Sequence, residues 1–396
     1  VMLASAVRNY LTNYGVSIGD RTVVVTNNDD AYRTAISLKN AGLSVPLIID
    51  TRPNGAGELA KTARDLGIRI ENGKAISIVH GKDRVKGISL CDQVGSGTVL
   101  EEIPCDSVAM SGGWSPVVNL WSHCGGKLSW DNKLCAFRPD TKLPPTGVNG
   151  VACLSVVGSA NGDLLIDDIF RVTYEVTLRV IKELDLETNE APRQSTKGIK
   201  ENSISAVWKM PYGASTKLKS KTWLDFQNDV KVIDVELAAQ EGFESVEHAK
   251  RYTTLGMATD QGKLSNINGL AILSESLHKD IPSVGTTTFR PPYSPISMGS
   301  IAGEARSELF QPIRKTPMHD WHDKHGAKWE PVGHWLRPYC YVQKGESVKQ
   351  AVFREVTACR NKVGVLDAST LGKIMVRGKD SGKFLDMIYT NMRSNL

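Results

Sequence analysis

Residues 221–271 read KTWLDFQNDVKVIDVELAAQEGFESVEHAKRYTTLGMATDQGKLSNINGLA and lie between two longer segments of different character. Two helices are legible in them. Asp229 predicts a cap for a helix through Val230, Ile233, Leu237 and Ala238, with Gly242 as its stop. Ser245 predicts the cap of a second helix, with His248 where a capping box would carry Glu or Gln. What this stretch is for depends on the segments around it.

Upstream, Arg21-Thr22-Val23-Val24-Val25-Thr26 is a short β-branched run and predicts a buried parallel strand. Residues 31–41 have helical spacing and stop at Gly42, and residues 45–50 (VPLIID) predict a second strand. The result is a β-α-β unit of Rossmann type, with Asp50 where an acidic residue would meet a ribose hydroxyl. The turn of this unit, Thr26-Asn27-Asn28-Asp29-Asp30, lacks the glycines that let a backbone approach a pyrophosphate, and its two acids repel phosphate. A Rossmann-shaped subdomain without a nucleotide is therefore the preferred reading of this unit. Residues 75–80 and 85–90 alternate as in a β-meander. Residues 105–116 end a strand in the turn Gly112-Gly113. Residues 151–162 (VACLSVVGSANG) predict a last buried strand and a glycine-containing turn. A helix is expected from about Asp163 to Leu184, and its N-terminal amides can face a phosphate or ribose or simply end a tight turn. Residues 185–207 are polar and predict a connection.

Downstream, residues 284–295 (VGTTTFRPPYSP) predict a stiff, extended segment, suited to an interface, a cofactor wall or an interdomain strap. His319, His322, His325 and His334 invite a zinc reading. Their spacing along a helix drifts, and no fixed pair with a carboxylate or Cys supports it, so no metal site is expected. Asp380 or Ser381 predicts a cap for a helix over residues 382–390.

Composition sets the outer bounds. The 396 residues suffice for two or three domains, and 41% hydrophobic with 23% charged residues is ordinary for a globular protein. A net charge of +5 without basic runs argues against nucleic acid. No apolar run approaches the ~20 residues of a membrane span, and no charged region precedes the first apolar residues as in a signal peptide. The seven Cys (91, 105, 124, 135, 153, 340, 359) lack paired spacing and read as free thiols in a reducing cytoplasm. The start at Val1 and the stop at Asn395-Leu396, inside a patterned segment, predict an internal piece of a longer polypeptide.

The words FQND, GF-SVEH-KRYTT-GMATDQGK and TTFRPPYSP in residues 226–295 resemble the alpha subunits of heterotetrameric sarcosine oxidases. The closing HDWHDKHGAKWEPVGHWLRP, GVLDASTLGKI and RGKD resemble the opening of those subunits' folate-binding aminomethyltransferase domain, which is shared with the glycine-cleavage T-protein. The resemblance implies an α/β fold: a glutathione-reductase-like FAD/NAD(P)-binding Rossmann-type domain, a small helical module, and the start of an α+β aminomethyltransferase-like domain. The implied boundaries are a dinucleotide-binding domain over 1–186 with a nested subdomain at about 15–110, a linker over 187–215, a module over 216–280, a Pro-rich connector over 281–316 and the folate-domain start over 317–396. It implies NAD beside Gly158, Ala160, Leu165 and Asp167. Tetrahydrofolate is implied for the last domain, with FAD and FMN mainly on a partner subunit.

The implied activity is oxidative demethylation of sarcosine with hydrogen peroxide and 5,10-methylenetetrahydrofolate as products, in a cytoplasmic complex with beta, gamma and delta subunits. No catalytic residue is expected in this chain. Arg290 is the implied contact for an anionic group near the partner's flavins. In proline and opine dehydrogenase relatives the module resembles a [2Fe–2S] domain. Here Phe226, Asn228, Asp260 and Ser265 stand at the cysteine positions, so no cluster is expected. An alpha subunit of such a dehydrogenase, or a non-catalytic scaffold, is the alternative.

Overall fold

The computed structural model describes residues 1–55, 57–188, 193–196, 198–199 and 201–391, and it divides into two units, Val1–Pro295 and Ile296–Leu396. The first unit opens with β1 (Met2–Leu3), α1 (Ala4–Tyr14), β2 (Thr22–Thr26), α2 (Asp30–Asn40), β3 (Ile48–Asp50), α3 (Glu58–Asp65) and β4 (Ile70–Asn72). An antiparallel meander follows, made of β5 (Lys74–Gly81), β6 (Val85–Asp92) and β7 (Glu101–Pro104), and β8 (Ser107–Ser111) returns to the first sheet. That sheet is parallel throughout, in the order β1-β8-β2-β3-β4.

The period of two in β2 explains the layers. Val24 and Ile48 point to one face and pack with Ala31, Tyr32, Ala35 and Leu38 of α2. Val23, Val25 and Ile49 point to the other and pack with Ile88, Leu90 and Ile103 of the meander. Every residue of β2 is buried, so a strand covered on both faces needs an apolar run rather than alternation.

Beyond β8 come α4 (Asn119–His123), the hairpin β9 (Leu128–Asp131) and β10 (Ala136–Pro139), a 3-10 turn at Gly158–Asn161, and α5 (Ile166–Glu183). Two expectations fail here. Residues 151–157 form no strand; Val151 is exposed and the pairing seen is one bridge between Thr146 and Ala152. A β-branched run becomes a strand only where a neighbour pairs along its length, and here residues 145–147 meet only its first three residues. The helix begins at Ile166 rather than Asp163, and none of its residues is buried.

The middle module holds α6 (Thr216–Lys219), the hairpin β11 (Trp223–Asp225) and β12 (Val230–Lys231), then α7 (Val232–Gln240), α8 (Val246–Thr253) and α9 (Asn266–Ser276). Asp229 is not the cap of α7. It sits in the hairpin turn at φ +59, Lys231 takes the cap position, and Asp234 accepts the Lys231 amide. Ser245 does hold the cap position of α8, without a side-chain cap bond. α9 is the core of the module. Leu270, Ile272 and Leu273 are buried among Val232, Val235, Val246 and Leu255, a contribution of roughly 1.5–3 kcal/mol per side chain.

The second unit contains α10 (Met298–Ala302), α11 (His319–Lys324), the hairpin β13 (Ala327–Val332) and β14 (Trp335–Tyr341), α12 (Val348–Asn361) and α13 (Ser381–Ile388). Ser347 and Gln350 form a reciprocal capping box on α12. Asp380 sits at the cap position of α13 without a side-chain bond. Residues 363–380 form no strand, and Val363, Val365 and Ile374 are almost fully exposed. No helix among the described residues is long and apolar enough to cross a membrane.

Candidate functional site

The four residues assigned to NAD cluster at one turn. Gly158 is buried at φ +64, a left-handed angle that suits glycine, and an added Cβ would meet nothing nearer than the Ile169 side chain at 3.6 Å. Ala160 lies in the same 3-10 turn. Leu165 takes the cap position of α5, and Leu164, Leu165 and Ile166 form an exposed apolar step. Asp167, in the first turn of α5, accepts the Thr196 amide at 3.1 Å. Asn161 was missed by sequence reasoning: its Oδ1 is buried without a partner among the described residues, while its Nδ2 donates to Asp163 at 3.0 Å. An orphaned acceptor, an exposed carboxylate and an apolar step fit a ribose and a ring. Asp167 and Asp168 in the first turn disfavour a phosphate at the helix end.

The β2–α2 turn and Asp50 look different. Asp50 is fully buried and both its oxygens are taken. Oδ2 accepts the Tyr32 hydroxyl at 2.8 Å and Arg52 Nη2 at 2.7 Å, and Oδ1 accepts Arg52 Nε at 3.0 Å. Arg52 also reaches Asp29 at 2.6 Å. Burial and the Asp50 carboxylate push the Tyr32 phenol far up. Burial works against the Arg52 charge, and its bonds to Asp50 and Asp29 outweigh that and raise it. Asp50 therefore has no oxygen facing a ribose, which corrects the role its position suggested.

In the middle module the four positions matched to cysteines carry no soft ligand. Phe226 is exposed, Asn228 donates to the Thr254 carbonyl at 2.8 Å, Asp260 accepts the Gly262 amide at 3.0 Å, and Ser265 is buried at the start of α9. The organiser is Asp225, which sequence reading passed over. Its carboxylate, 3% exposed, accepts the amides of Gln227 (2.9 Å), Asn228 (3.0 Å) and Gly256 (2.8 Å).

The extended segment is stitched to this module. Thr287 Oγ1 accepts Asn266 Nδ2 at 3.0 Å, the Thr288 amide donates to Glu247 at 2.6 Å, and Lys263 donates to the Tyr293 carbonyl at 2.9 Å while lying over its ring. A cavity of about 590 Å³ opens between this segment and the β9–β10 region, lined by His123, Lys127, Trp130 and Thr286. Arg290 is exposed. Burial lowers the nearby Lys250 ammonium, and the Arg290 and Arg251 charges add to that against Glu247.

In the second unit the histidines stay apart. His319 stacks on Trp329 and His325 on Trp321, with ring centroids 4.1 and 3.9 Å apart. His322 is buried between the Tyr341 hydroxyl (2.5 Å) and Asp367 (2.8 Å). The Ser369 hydrogen bond and the His322 ring hold the Asp367 carboxyl far below the usual range against its burial. A cavity of about 860 Å³ adjoins this trio, lined also by Trp321, Leu366 and Lys373. No group of three or more His, Cys, Asp or Glu among the described residues is placed to hold a metal ion.

These elements define a multidomain chain whose first unit is built on a parallel α/β sheet of Rossmann type, with helices on one face and an antiparallel meander on the other. Residues 219–304 match the sarcosine oxidase A3 domain and residues 318–396 the GCVT N-terminal domain. Along nearly its whole length the chain is similar to sarcosine oxidase alpha subunits. It is 37% identical over 406 residues to "Sarcosine oxidase subunit alpha" of Rhizobium meliloti (strain 1021), covering 99% of this chain and 38% of that protein. It is 36% identical over 398 residues to the subunit of the same name from Corynebacterium sp. (strain U-96), covering 99% and 40%. The chain thus spans about two fifths of the length of the curated relatives it matches. A crystal structure of L-proline dehydrogenase from P. horikoshii is similar at 17% identity with a TM-score of 0.48, covering 74% of this chain and 51% of that one.

Proposed function

We propose that the protein to which these 396 residues belong acts as the alpha subunit of a sarcosine oxidase. The observation that carries this is the 36–37% identity to sarcosine oxidase alpha subunits over 99% of the chain. The proposed activity is that of an oxidoreductase acting on the CH–NH bond of sarcosine, with oxygen as acceptor. Glycine, hydrogen peroxide and 5,10-methylenetetrahydrofolate are its products, formed in a cytoplasmic complex with beta, gamma and delta subunits. Flavins, FAD and FMN, would supply the hydride and electron chemistry, mainly from the partner subunit. This chain contributes position. In this reading its parts are a dinucleotide-binding domain over 1–186, a linker over 187–215, the module over 216–280, a connector over 281–316 and the folate-domain start over 317–396.

For NAD, Gly158 and Ala160 would allow close approach at the turn, Leu165 would cover a ring face, and Asp167 with Asn161 would meet ribose hydroxyls. The buried, unpartnered Oδ1 of Asn161 supports that fit. For tetrahydrofolate, the match of residues 318–396 to the GCVT N-terminal domain is the support. Arg290, exposed on the segment tied to α8 and α9, would hold an anionic group of the partner's cofactor.

The test is the full-length protein purified with its partner subunits. Sarcosine is expected to bleach the flavin absorbance anaerobically and to give stoichiometric peroxide in air. Reduction of a dye by proline or an opine, with no response to sarcosine, would replace this reading with the dehydrogenase one. A colourless complex without peroxide would leave only a scaffold.

A further inference from the structure

In an open α/β sheet the ligand crevice lies outside the carboxyl ends of the strands, where the strand order reverses. Here that point falls between β2 and β8, since the chain runs from β2 outward through β3 and β4 and comes back to β8 on the other side. The loops leaving β2 and β8 are residues 27–29 and 112–113. Loop tips at a sheet end are normally wet, yet Asn27, Asn28 and Asp29 are each at most 5% exposed.

The cover is residues 201–205, which the sequence reads as part of a polar connection. Glu201 pairs with Arg33 of α2 at 2.5 Å. The Asn202 amide donates to Asp29 Oδ2 at 2.8 Å, and Arg52 Nη1 donates to the Ser203 carbonyl at 3.4 Å. The Ser205 amide donates to the Asn27 carbonyl at 3.3 Å, and Asn27 Nδ2 donates back to the Ser205 carbonyl at 2.8 Å. That same Nδ2 reaches the Gly112 carbonyl at 3.2 Å, so one side chain ties both loops to the segment. Ile204 fills the space over Gly113, where an added Cβ would lie 2.1 Å from its Cδ1. Backbone amides and carbonyls thus stand where phosphate and ribose oxygens would, and the carboxylates of the turn are compatible with amide donors but not with phosphate.

We propose that residues 201–205 are the resident occupant of the crevice at the carboxyl ends of β2 and β8, a strap of the chain's own backbone in the place where sheets of this topology take a dinucleotide. The crevice then works as a clasp. From Ser205 the chain continues to Lys209, whose carbonyl accepts Gln93 Nε2 at 3.1 Å and whose ammonium bridges Glu236 of α7 (3.2 Å) and Glu275 of α9 (3.1 Å). The clasp therefore fastens the nested sheet to the middle module.

The experiment uses the full-length protein with its partners. Photolabelling with 8-azido-adenine NAD, mapped by peptide mass, is expected to leave residues 26–31 and 50–55 unlabelled. Label there overturns the clasp. Label at residues 158–167 concerns the separate NAD assignment above, so the two readings fail on different peptides. Hydrogen exchange supplies the second arm. Asn202→Pro with Ser205→Pro removes both strap amides. It is expected to speed exchange at residues 27–30 by about tenfold or more while residues 23–25 keep their protection. Unchanged exchange at residues 27–30 overturns the proposal. Should the double variant fail to fold, the labelling of the unmodified protein decides alone.

Discussion

Two buried carboxylate sites in the first unit meet the same electrostatic demand with different partners. Around Arg52, two carboxylates (Asp29 and Asp50) share one guanidinium with the Tyr32 hydroxyl and the Asn202 amide. Around Asp225, one carboxylate is held by three backbone amides and no cation. The first arrangement joins segments as far apart in sequence as Asp29 and Asn202. The second closes a local hairpin and catches one distant amide, that of Gly256. In each, intrachain polar groups supply the cohesion. A cation shared by two acids makes the site depend on one residue, whereas amides spread the load along the backbone.

That difference sets the order of the expected effects. Arg52→Met leaves two uncompensated carboxylates in the core and is expected to cost about 3–5 kcal/mol in chemical denaturation of the first unit. A cost below about 1 kcal/mol would show that the pair of acids is neutralised some other way. Asp225→Ala strands three amides at roughly 1–3 kcal/mol for each one that water cannot reach, with a total of about 2–4 kcal/mol expected. Asp225→Asn keeps one acceptor oxygen and should lose clearly less, with hydrogen exchange at Gly256 rising in both variants. Equal losses in the two variants would mean that charge, not geometry, holds the hairpin.

Asp106 extends the amide-held class to an exposed position. Burial alone would raise its carboxyl, but the Asp20 and Arg21 amides and the Ser107 hydroxyl reverse this and hold it below the usual value. A carboxyl depressed in the folded state contributes stability that is present above the ordinary Asp pKa of about 3.9 and is lost as pH falls through the lower folded value. Titration of Asp106 by NMR is expected to show a midpoint below that of an unstructured Asp, and Asp106→Asn should flatten the acid limb of the stability curve. A midpoint at or above the ordinary value removes Asp106 from this class. The smallest effect belongs to Arg69 and Glu101, which make a two-pronged ion pair at 2.8 and 3.0 Å on the open surface. Glu101→Gln is expected to leave the melting temperature unchanged within error, because solvent and salt screen an exposed pair. A clear drop would show that close geometry outweighs burial.

The parallel sheet was legible because β2 and β3 are apolar runs separated by a helix-spaced segment, a pattern with few other uses. The Gly158 turn was legible from glycine placement. α9 was not read as a helix, since Asn266–Ser276 is buried on nearly every side and shows no polar stripe to mark its period. Asn161 and Asp225 were missed for a related reason. An Asn in a turn and an Asp before FQND look like ordinary polar loop residues until their burial is known. The strand expected over residues 151–157 shows the converse. Its residues have strand propensity, and propensity with a single bridge to Thr146 does not extend into a ladder.

By itself the sequence determined the family likeness, the parallel core of the nested sheet and the absence of thiolates between Leu154 and Tyr339. These depend on residue identity and short-range period, which are written along the chain. The tertiary structure decided that Asp50 faces Arg52 rather than a ligand, that Asp225 gathers the middle module, and that residues 201–205 close the β2–β8 crevice. Each of these depends on groups brought together across tens of residues or more. A polar side chain's role is set by what desolvates it and what bonds to it, and neither is encoded at its own position.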